Sequence, residues 1–204
     1  MLSMPATADV SGNVSDAAFI AGQYCDDTWR ALSKLAIAPG DLAVERAGHI
    51  ANRLSAALGN GPWHVLVFSY PKLGWPVMAL MGNRILVAKE FVDDSNDNEL
   101  AFVYAHEMGH VALGHLPQRY AALIADAGGA VTRWTQVTRY AREEWALFRQ
   151  EELEADQFGF ALAARAGFDA KAGADSALSH LTPDPQHPTP EARLSALGLK
   201  GASR

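Results

Sequence analysis

Residues 98–115 read NELAFVYAHEMGHVALGH, and the architecture of the chain can be inferred outward from this stretch. Its apolar residues recur at helical spacing, the preceding run DDSND at residues 93–97 supplies N-capping side chains, and Gly114 supplies a stop. The sequence therefore predicts a long helix from about residue 98 to residue 113. His106 and His110 lie in the second half of that helix.

His106 and His110 are four residues apart, so both imidazoles project from one face of the predicted helix. Side chains in this relation can bind one metal ion, and zinc is the usual occupant of an H-E-x-x-H pattern. Glu107 directly follows the first histidine, which places its carboxylate beside the open coordination position rather than on the metal. A carboxylate there can take a proton from water held by the metal. The alternative interpretation is a pair of ordinary core histidines.

A zinc site of this kind needs a third protein ligand, and the acidic run EELEAD at residues 151–156 offers one. Glu152 and Asp156 are four residues apart and would share a helix face. We predict that Glu152 binds the metal, while Asp156 accepts a hydrogen bond from a ligand histidine and fixes its tautomer. Glu151 and Glu154 are expected to face solvent. The competing interpretation is an exposed acidic helix face.

The remaining sequence predicts an α+β fold, a small sheet backed by helices. Residues 1–16 are small and polar and are expected to be flexible, while residues 17–204 are expected to form a single domain. In chain order, the predicted elements are helices over 16–58 with a break at 38–40, strands at 63–68, 77–81 and 84–88, the helix at 98–113, helical segments over 118–166 with an interruption at 128–129, and a short helix at 191–197.

Composition excludes several classes of protein. The chain has 204 residues, of which 49% are hydrophobic, so it can bury a substantial core and is not a disordered tail. Its 17 basic and 23 acidic residues give a net charge of −6, which disfavours binding to a nucleic-acid backbone. The single cysteine, Cys25, forms neither an internal disulfide nor a cysteine-type zinc site, and a buried or half-buried thiol without a function is expected.

The sequence also carries no signal for membrane insertion or export. Its apolar runs are shorter than the roughly 18 residues that a membrane-spanning helix needs. The first residues have neither a basic region nor an apolar region of the kind that secretory signals show. We therefore expect a soluble cytoplasmic protein without a membrane span, with a longer periplasmic or anchored precursor as the alternative.

Four blocks of this sequence follow one another in the order seen in a known protein family. They are residues 98–110 with the trailing His115, the run ELEADQFG at 152–159, the run AGFD at 166–169, and the run HPTPEARL at 187–194. Through these blocks the chain resembles the HtpX-like and CAAX-prenyl-protease-like gluzincins, which are zinc endopeptidases. The resemblance implies a mainly helical, zincin-like domain with a small mixed sheet of about three strands.

The resemblance also implies a set of site residues. His106, His110 and Glu152 would bind one zinc ion per chain, and Glu107 would be the catalytic base. In such enzymes the histidine of a C-terminal His-Pro…Arg block lies near the metal, where it stabilises the oxyanion or shields the open coordination site. His187 matches that histidine.

Two further positions bear on the resemblance. Arg193 matches the arginine of the same C-terminal block and is expected to be an auxiliary residue of the site. The strand that borders the cleft usually has an Asn-Ala-Phe-like sequence in this family, whereas residues 76–80 read PVMAL here. This departure concerns how the substrate backbone is held and not whether zinc binds.

The function predicted from these features is zinc-dependent hydrolysis of peptide bonds within peptides or unfolded proteins, with Glu107 activating a water molecule at the zinc. The expected partner is a peptide or protein substrate, and the oligomeric state stays open. One alternative is a regulatory metallopeptidase that cuts a specific repressor-like partner. Another is a zinc-bound scaffold or holdase with little turnover, in which His187 fills the open position of the metal.

Overall fold

The computed structural model describes residues 10–69, 76–126, 133, 145–179, 181 and 187–199. In these ranges no helix is both long and apolar enough to cross a membrane. The elements in chain order are α1 (Val10–Leu32), a 3-10 turn (Ser33–Leu35), α2 (Leu42–Leu58), β1 (His64–Phe68), β2 (Val77–Leu80), β3 (Arg84–Ala88), α3 (Lys89–Asp94), α4 (Asp97–Ala112), α5 (His115–Asp126), α6 (Trp145–Arg165), α7 (Ala170–Ser179) and α8 (Pro190–Ala196).

The three strands form one mixed sheet in the order β1-β3-β2. β1 runs parallel to β3, with Leu66 opposite Leu86, while β2 runs antiparallel to β3, with Met78 opposite the same leucine. In the tight turn between β2 and β3, Gly82 and Asn83 both have positive φ angles, of 80° and 55°. The strand order makes β2 an edge strand, and within the described ranges its outer side is not paired with another strand.

Both faces of this sheet are covered by helices. Val77, Ile85 and Val87 face the main hydrophobic core, to which α2, α4 and α6 also contribute. Leu80 and Leu86 point the opposite way and pack against α1. Burial on both faces explains why the strand sequences are nearly continuous apolar runs instead of alternating ones.

α1 also closes one end of β2. The backbone amide of Met81, the residue after β2, donates to Cys25 Sγ at 3.4 Å, and the Tyr24 hydroxyl donates to Met78 Sδ at 3.7 Å. Cys25 is fully buried, as predicted, and burial raises the pKa of its thiol. Because α1 packs on α5 as well, it ties the end of the edge strand to the helix that follows α4.

α4 begins where the capping side chains predict. Asn96 is the N-cap residue, and its side chain accepts hydrogen bonds from the backbone amides of Asn98 and Glu99. These amides lack partners within the helix, so the cap satisfies them. At the other end, Gly114 adopts a left-handed φ of 72°, and α5 begins at the next residue. The chain thus turns out of α4 just after its two histidines.

α6 crosses α4 very closely because each helix carries a glycine at the crossing. Gly109 of α4 lies against Ala155 and Phe158, and Gly159 of α6 lies against the backbone of His106. A Cβ atom on Gly159 would lie only 2.6 Å from the His106 amide nitrogen. The crossing brings the acidic first half of α6 onto the face of α4 that carries the histidines.

The α+β fold with a small three-stranded mixed sheet is confirmed. Two short helices, α3 and α7, are absent from the sequence prediction, and α5 begins three residues before the predicted helical segment. α1 begins at Val10, so it extends into the segment for which the sequence predicts flexibility. Residues 1–9 lie outside the described residues, and for them flexibility stays a prediction, as does the single-domain boundary.

Candidate metal centre and active site

Three side chains converge where α4 and α6 cross. His106 Nε2 lies 3.1 Å from His110 Nε2. Glu152 contacts both rings: its Oε2 lies 3.3 Å from His106 Nε2, and its Oε1 lies 3.3 Å from His110 Nε2. The side chains are 9%, 16% and 8% exposed for the two histidines and the glutamate, respectively. Each residue offers one donor atom to a common point, so this group can hold a metal ion.

A buried ion pair supports the first of these histidines. Asp156 lies one helical turn beyond Glu152, and its Oδ1 lies 3.0 Å from His106 Nδ1. Arg193 of α8 donates to both oxygens of Asp156, through Nε at 2.7 Å and Nη2 at 2.6 Å. Four side chains are buried here, those of His106, Glu152, Asp156 and Arg193. The two hydrogen bonds from Arg193 therefore fix the Asp156 carboxylate, and this carboxylate in turn fixes the His106 imidazole.

Glu107 lies on the side of α4 that faces the edge strand β2, and not on the side that carries the two histidines. Its Oε2 accepts a hydrogen bond from the backbone amide of Ala79 at 2.8 Å. Burial raises the pKa of Glu107, and the charge of His106 and the Ala79 amide only partly oppose the rise. A carboxylate with a raised pKa is better matched to proton transfer near neutral pH than an ordinary glutamate.

Burial and electrostatic interactions shift the pKa values of the three convergent groups in different directions. Burial alone would lower the pKa of His106, but hydrogen bonds with Asp156 and Glu152 outweigh it and raise the pKa to about 9. Burial lowers the pKa of His110 to about 4. Burial alone would raise the pKa of Glu152, yet its hydrogen bonds with both histidines hold that pKa well below the usual range. The glutamate therefore stays ionised, and the raised pKa of His106 means that a proton competes with a metal ion for this histidine.

His187 lies at the mouth of this cluster, in the segment that precedes α8. Its Nε2 is 3.9 Å from Glu152 Oε1, and its side chain is 44% exposed. Every site residue predicted from the sequence is thus in one place: the two histidines and Glu107 on α4, Glu152 and Asp156 on α6, and His187 and Arg193 at the C-terminal end.

The structure corrects the prediction for Glu151, which does not face solvent. It is 1% exposed and forms a close ion pair with Arg119 of α5, whose Nη2 also approaches Glu152 Oε1 at 3.8 Å. The prediction fails because it considers only the faces of α6, whereas α5 covers the face that carries Glu151. Glu154 is 44% exposed, as expected.

A second feature escapes sequence reasoning. His115 is buried and its Nδ1 lies 2.8 Å from His110 Nδ1. The histidines are five residues apart, a spacing that does not align side chains on one helix, and the turn at Gly114 brings them together. Gly114, a helix-terminating residue between the two histidines, is a local sequence signal that could have suggested this contact.

A buried His-His-Glu cluster, with a further carboxylate hydrogen-bonded to an adjacent edge strand, is the constellation of a metallopeptidase. Residues 55–199, which include every residue of the site, match Peptidase family M48, and the chain belongs to this family. The chain is also similar to Metalloprotease LoiP of Escherichia coli (strain K12), with 30% identity over 185 residues that cover 82% of this chain and 71% of LoiP. The protein is therefore a metalloprotease.

Proposed function

We propose that this metalloprotease is a zinc-dependent endopeptidase that cleaves peptides or unfolded proteins, with one zinc ion held by His106, His110 and Glu152. The separations of their donor atoms carry the proposal. Ligands about 2.0–2.1 Å from a tetrahedral zinc ion lie about 3.3 Å from one another. Here the two histidine nitrogens are 3.1 Å apart, and each lies 3.3 Å from its nearer oxygen of Glu152, which is Oε2 for His106 and Oε1 for His110. Two imidazoles and one carboxylate also form a donor set that suits zinc with an open fourth position.

Zinc bound there would polarise the scissile carbonyl and lower the pKa of water at the open position to roughly 7. The chain's own part in the reaction begins with Glu107. Because the Ala79 amide occupies Oε2, Oε1 is left to accept the proton of the attacking water. The same carboxyl group then donates that proton to the departing amine. In the metal-free protein, burial raises the pKa of this carboxyl group.

Substrate backbone would bind along the outer side of β2. The amide of Ala88 donates to the carbonyl of Pro76, and in an antiparallel pair such bonds recur at every second residue. The backbone groups of Val77 and Ala79 therefore point away from β3. The Ala79 amide is occupied by Glu107, which leaves the Val77 amide and the carbonyls of both residues for an extended peptide.

α1 sets a limit on this binding edge. The amide of Met81, the next outward-facing position after Ala79, is bonded to Cys25 Sγ. An added strand can therefore pair with β2 only over residues 77–79. We expect a short backbone register on β2, with the rest of the substrate held by other parts of the cleft.

The remaining site residues would act on the ligands and on the developing charge. Asp156 would hold the His106 ring with its Nε2 toward the metal, and Arg193 would hold Asp156. His187, at 3.9 Å from Glu152, is close enough to the open side of the cluster to serve the oxyanion. We assign it a catalytic role, in preference to shielding of the metal.

The test combines zinc analysis with digestion of a casein-like substrate. Glu107→Gln should keep stoichiometric zinc and lose cleavage, while Glu152→Ala should lose zinc as well as cleavage. Glu45, an exposed glutamate of α2, provides matched controls as Glu45→Gln and Glu45→Ala, which should behave as wild type. Full activity of Glu107→Gln would refute the mechanism, and unchanged zinc content of Glu152→Ala would refute the ligand assignment.

A further inference from the structure

The two histidines of the cluster have different neighbours at their second ring nitrogen. His106 Nδ1 faces the carboxylate of Asp156, whereas His110 Nδ1 faces the Nδ1 atom of His115 at 2.8 Å. The rings of His110 and His115 meet edge to face, with an interplanar angle of 73° and centroids 4.9 Å apart. His115 is 1% exposed, so no bulk water competes for this contact.

The direction of this hydrogen bond follows from the chemistry of imidazole. A histidine that binds a metal through Nε2 carries its proton on Nδ1. If His110 binds in this way, its Nδ1–H donates and His115 Nδ1 must accept. An accepting Nδ1 places the proton of a neutral His115 ring on Nε2. That atom faces Glu154 Oε2 at 3.3 Å, although the two are not aligned as a hydrogen bond.

We propose that His115 is a positioning residue of the metal centre: by accepting the Nδ1–H of His110, it fixes the tautomer and the ring plane of that ligand. The proposal rests on the proposed function, since it requires His110 to bind the metal through Nε2. Gly114 contributes to this arrangement, because its left-handed conformation turns the start of α5 toward α4.

Charge balance explains why an imidazole suits this position. Glu107, Glu152 and Asp156 already supply three carboxylates around the cluster. A fourth carboxylate beside His110 would add a buried negative charge that needs its own counter-ion. A neutral imidazole provides the required acceptor without that charge.

Three substitutions at His115 separate positioning from packing. In His115→Asn the side-chain carbonyl oxygen can take the place of the histidine Nδ1 and still accept the hydrogen bond. In His115→Gln the amide lies near the position of Nε2, so polarity and volume are kept but the acceptor is misplaced. His115→Leu removes the acceptor, and His49→Leu, which removes an exposed histidine of α2, is the control.

The measurements are the zinc dissociation constant, by competition with a chromophoric chelator, the visible spectrum of the Co²⁺-loaded protein, and urea unfolding of the metal-free protein. We expect His115→Leu and His115→Gln to bind zinc about 10–100-fold more weakly than wild type, as loss of such partners generally does, and to shift the Co²⁺ spectrum. His115→Asn should recover most of the affinity, and His49→Leu should not change it.

Equal zinc affinity for His115→Asn and His115→Gln would overturn the proposal, as would wild-type affinity in His115→Leu. If His115→Leu does not fold, the comparison of Asn with Gln still decides, because both side chains carry the same amide group, which Asn places at the position of Nδ1 and Gln near that of Nε2. This result is distinguishable from failure of the proposed function. If the proposed function is wrong, Glu152→Ala keeps its zinc. If only the role of His115 is wrong, Glu152→Ala loses its zinc while the His115 variants bind zinc normally.

Discussion

Gly159 packs directly against the backbone of His106. A methyl group at position 159 would lie 2.6 Å from the His106 nitrogen and 2.8 Å from its Cα, distances that real Cβ atoms do not adopt. The obstructing atoms belong to a helix backbone and cannot rotate away. The absence of a side chain at position 159 therefore sets the separation of α4 and α6, and with it the distance from Glu152 to both histidines.

We predict that Gly159→Ala weakens zinc binding without touching any ligand. To admit the methyl group, α6 must move away from α4, which costs about 1–3 kcal/mol in stability. The movement withdraws Glu152, and the zinc dissociation constant should rise roughly tenfold or more. Chelator competition and urea unfolding measure the two effects.

Two other glycines calibrate this experiment. Gly48→Ala, in α2, meets nothing within 4 Å and should be neutral or slightly stabilising. Gly109→Ala meets a Phe158 ring atom at 3.1 Å and the Ala155 backbone at 3.3 Å, so an intermediate effect is expected. Wild-type zinc affinity in Gly159→Ala would show that the crossing distance does not control the cluster.

Removal of Arg193 should destabilise the metal-free protein strongly. Burial alone would raise the pKa of Asp156, but the Arg193 and His106 hydrogen bonds lower it. Arg193→Met leaves that carboxylate buried without its main partner, a change that typically costs about 3–5 kcal/mol. The double variant Arg193→Met/Asp156→Asn should recover much of the loss, because no uncompensated charge remains. Urea unfolding at neutral pH measures both.

The same pair has a defined pH dependence. Because the folded-state pKa of Asp156 lies below its ordinary value, its ionisation stabilises the fold above that ordinary value and ceases to do so as the pH falls through the folded one. The stability difference between wild type and Arg193→Met should therefore be largest at neutral pH and shrink in acid. A difference that grows on acidification would contradict this assignment.

Cys25 should react slowly with thiol reagents in the folded protein. The residue is fully buried, and burial raises the pKa of its thiol, so little thiolate is present or accessible near neutral pH. Alkylation with iodoacetamide, followed by mass spectrometry, should be slow without denaturant and fast in concentrated urea. Equal rates in the two conditions would show that α1 does not cover the end of β2 stably in solution.

Local signals in the sequence predict most of the helices and strands but not all of them. The N-cap at Asn96, the stop at Gly114 and the apolar runs of the strands act within a few residues, so they can be read without tertiary information. α3 has only six residues, too few for a helical period to be visible. α7 is rich in alanine, and its one glycine, Gly173, packs closely on the Asn98 carbonyl, a contact that no local pattern reveals.

The site divides in the same way. Spacings of four residues place His106 with His110 and Glu152 with Asp156, so those pairs are predictable from the sequence. That the two pairs meet depends on the crossing of α4 and α6. The pairing of Arg119 with Glu151 joins residues 32 positions apart, and only tertiary packing brings them together.

His187 offers the sharpest test of how the site works. We predict that His187→Ala keeps stoichiometric zinc and a nearly unchanged KM, while kcat falls about 100–1000-fold, the usual cost of losing one group that stabilises an oxyanion. Steady-state kinetics with a peptide substrate, alongside zinc analysis, measure this, and His49→Ala is the matched control. A rise in kcat would instead mean that His187 shields the metal, and a fall in zinc content would make it a ligand. At 3.9 Å from Glu152, the imidazole lies beside the cluster and not within it. A catalytic role for His187 therefore predicts a loss in kcat alone.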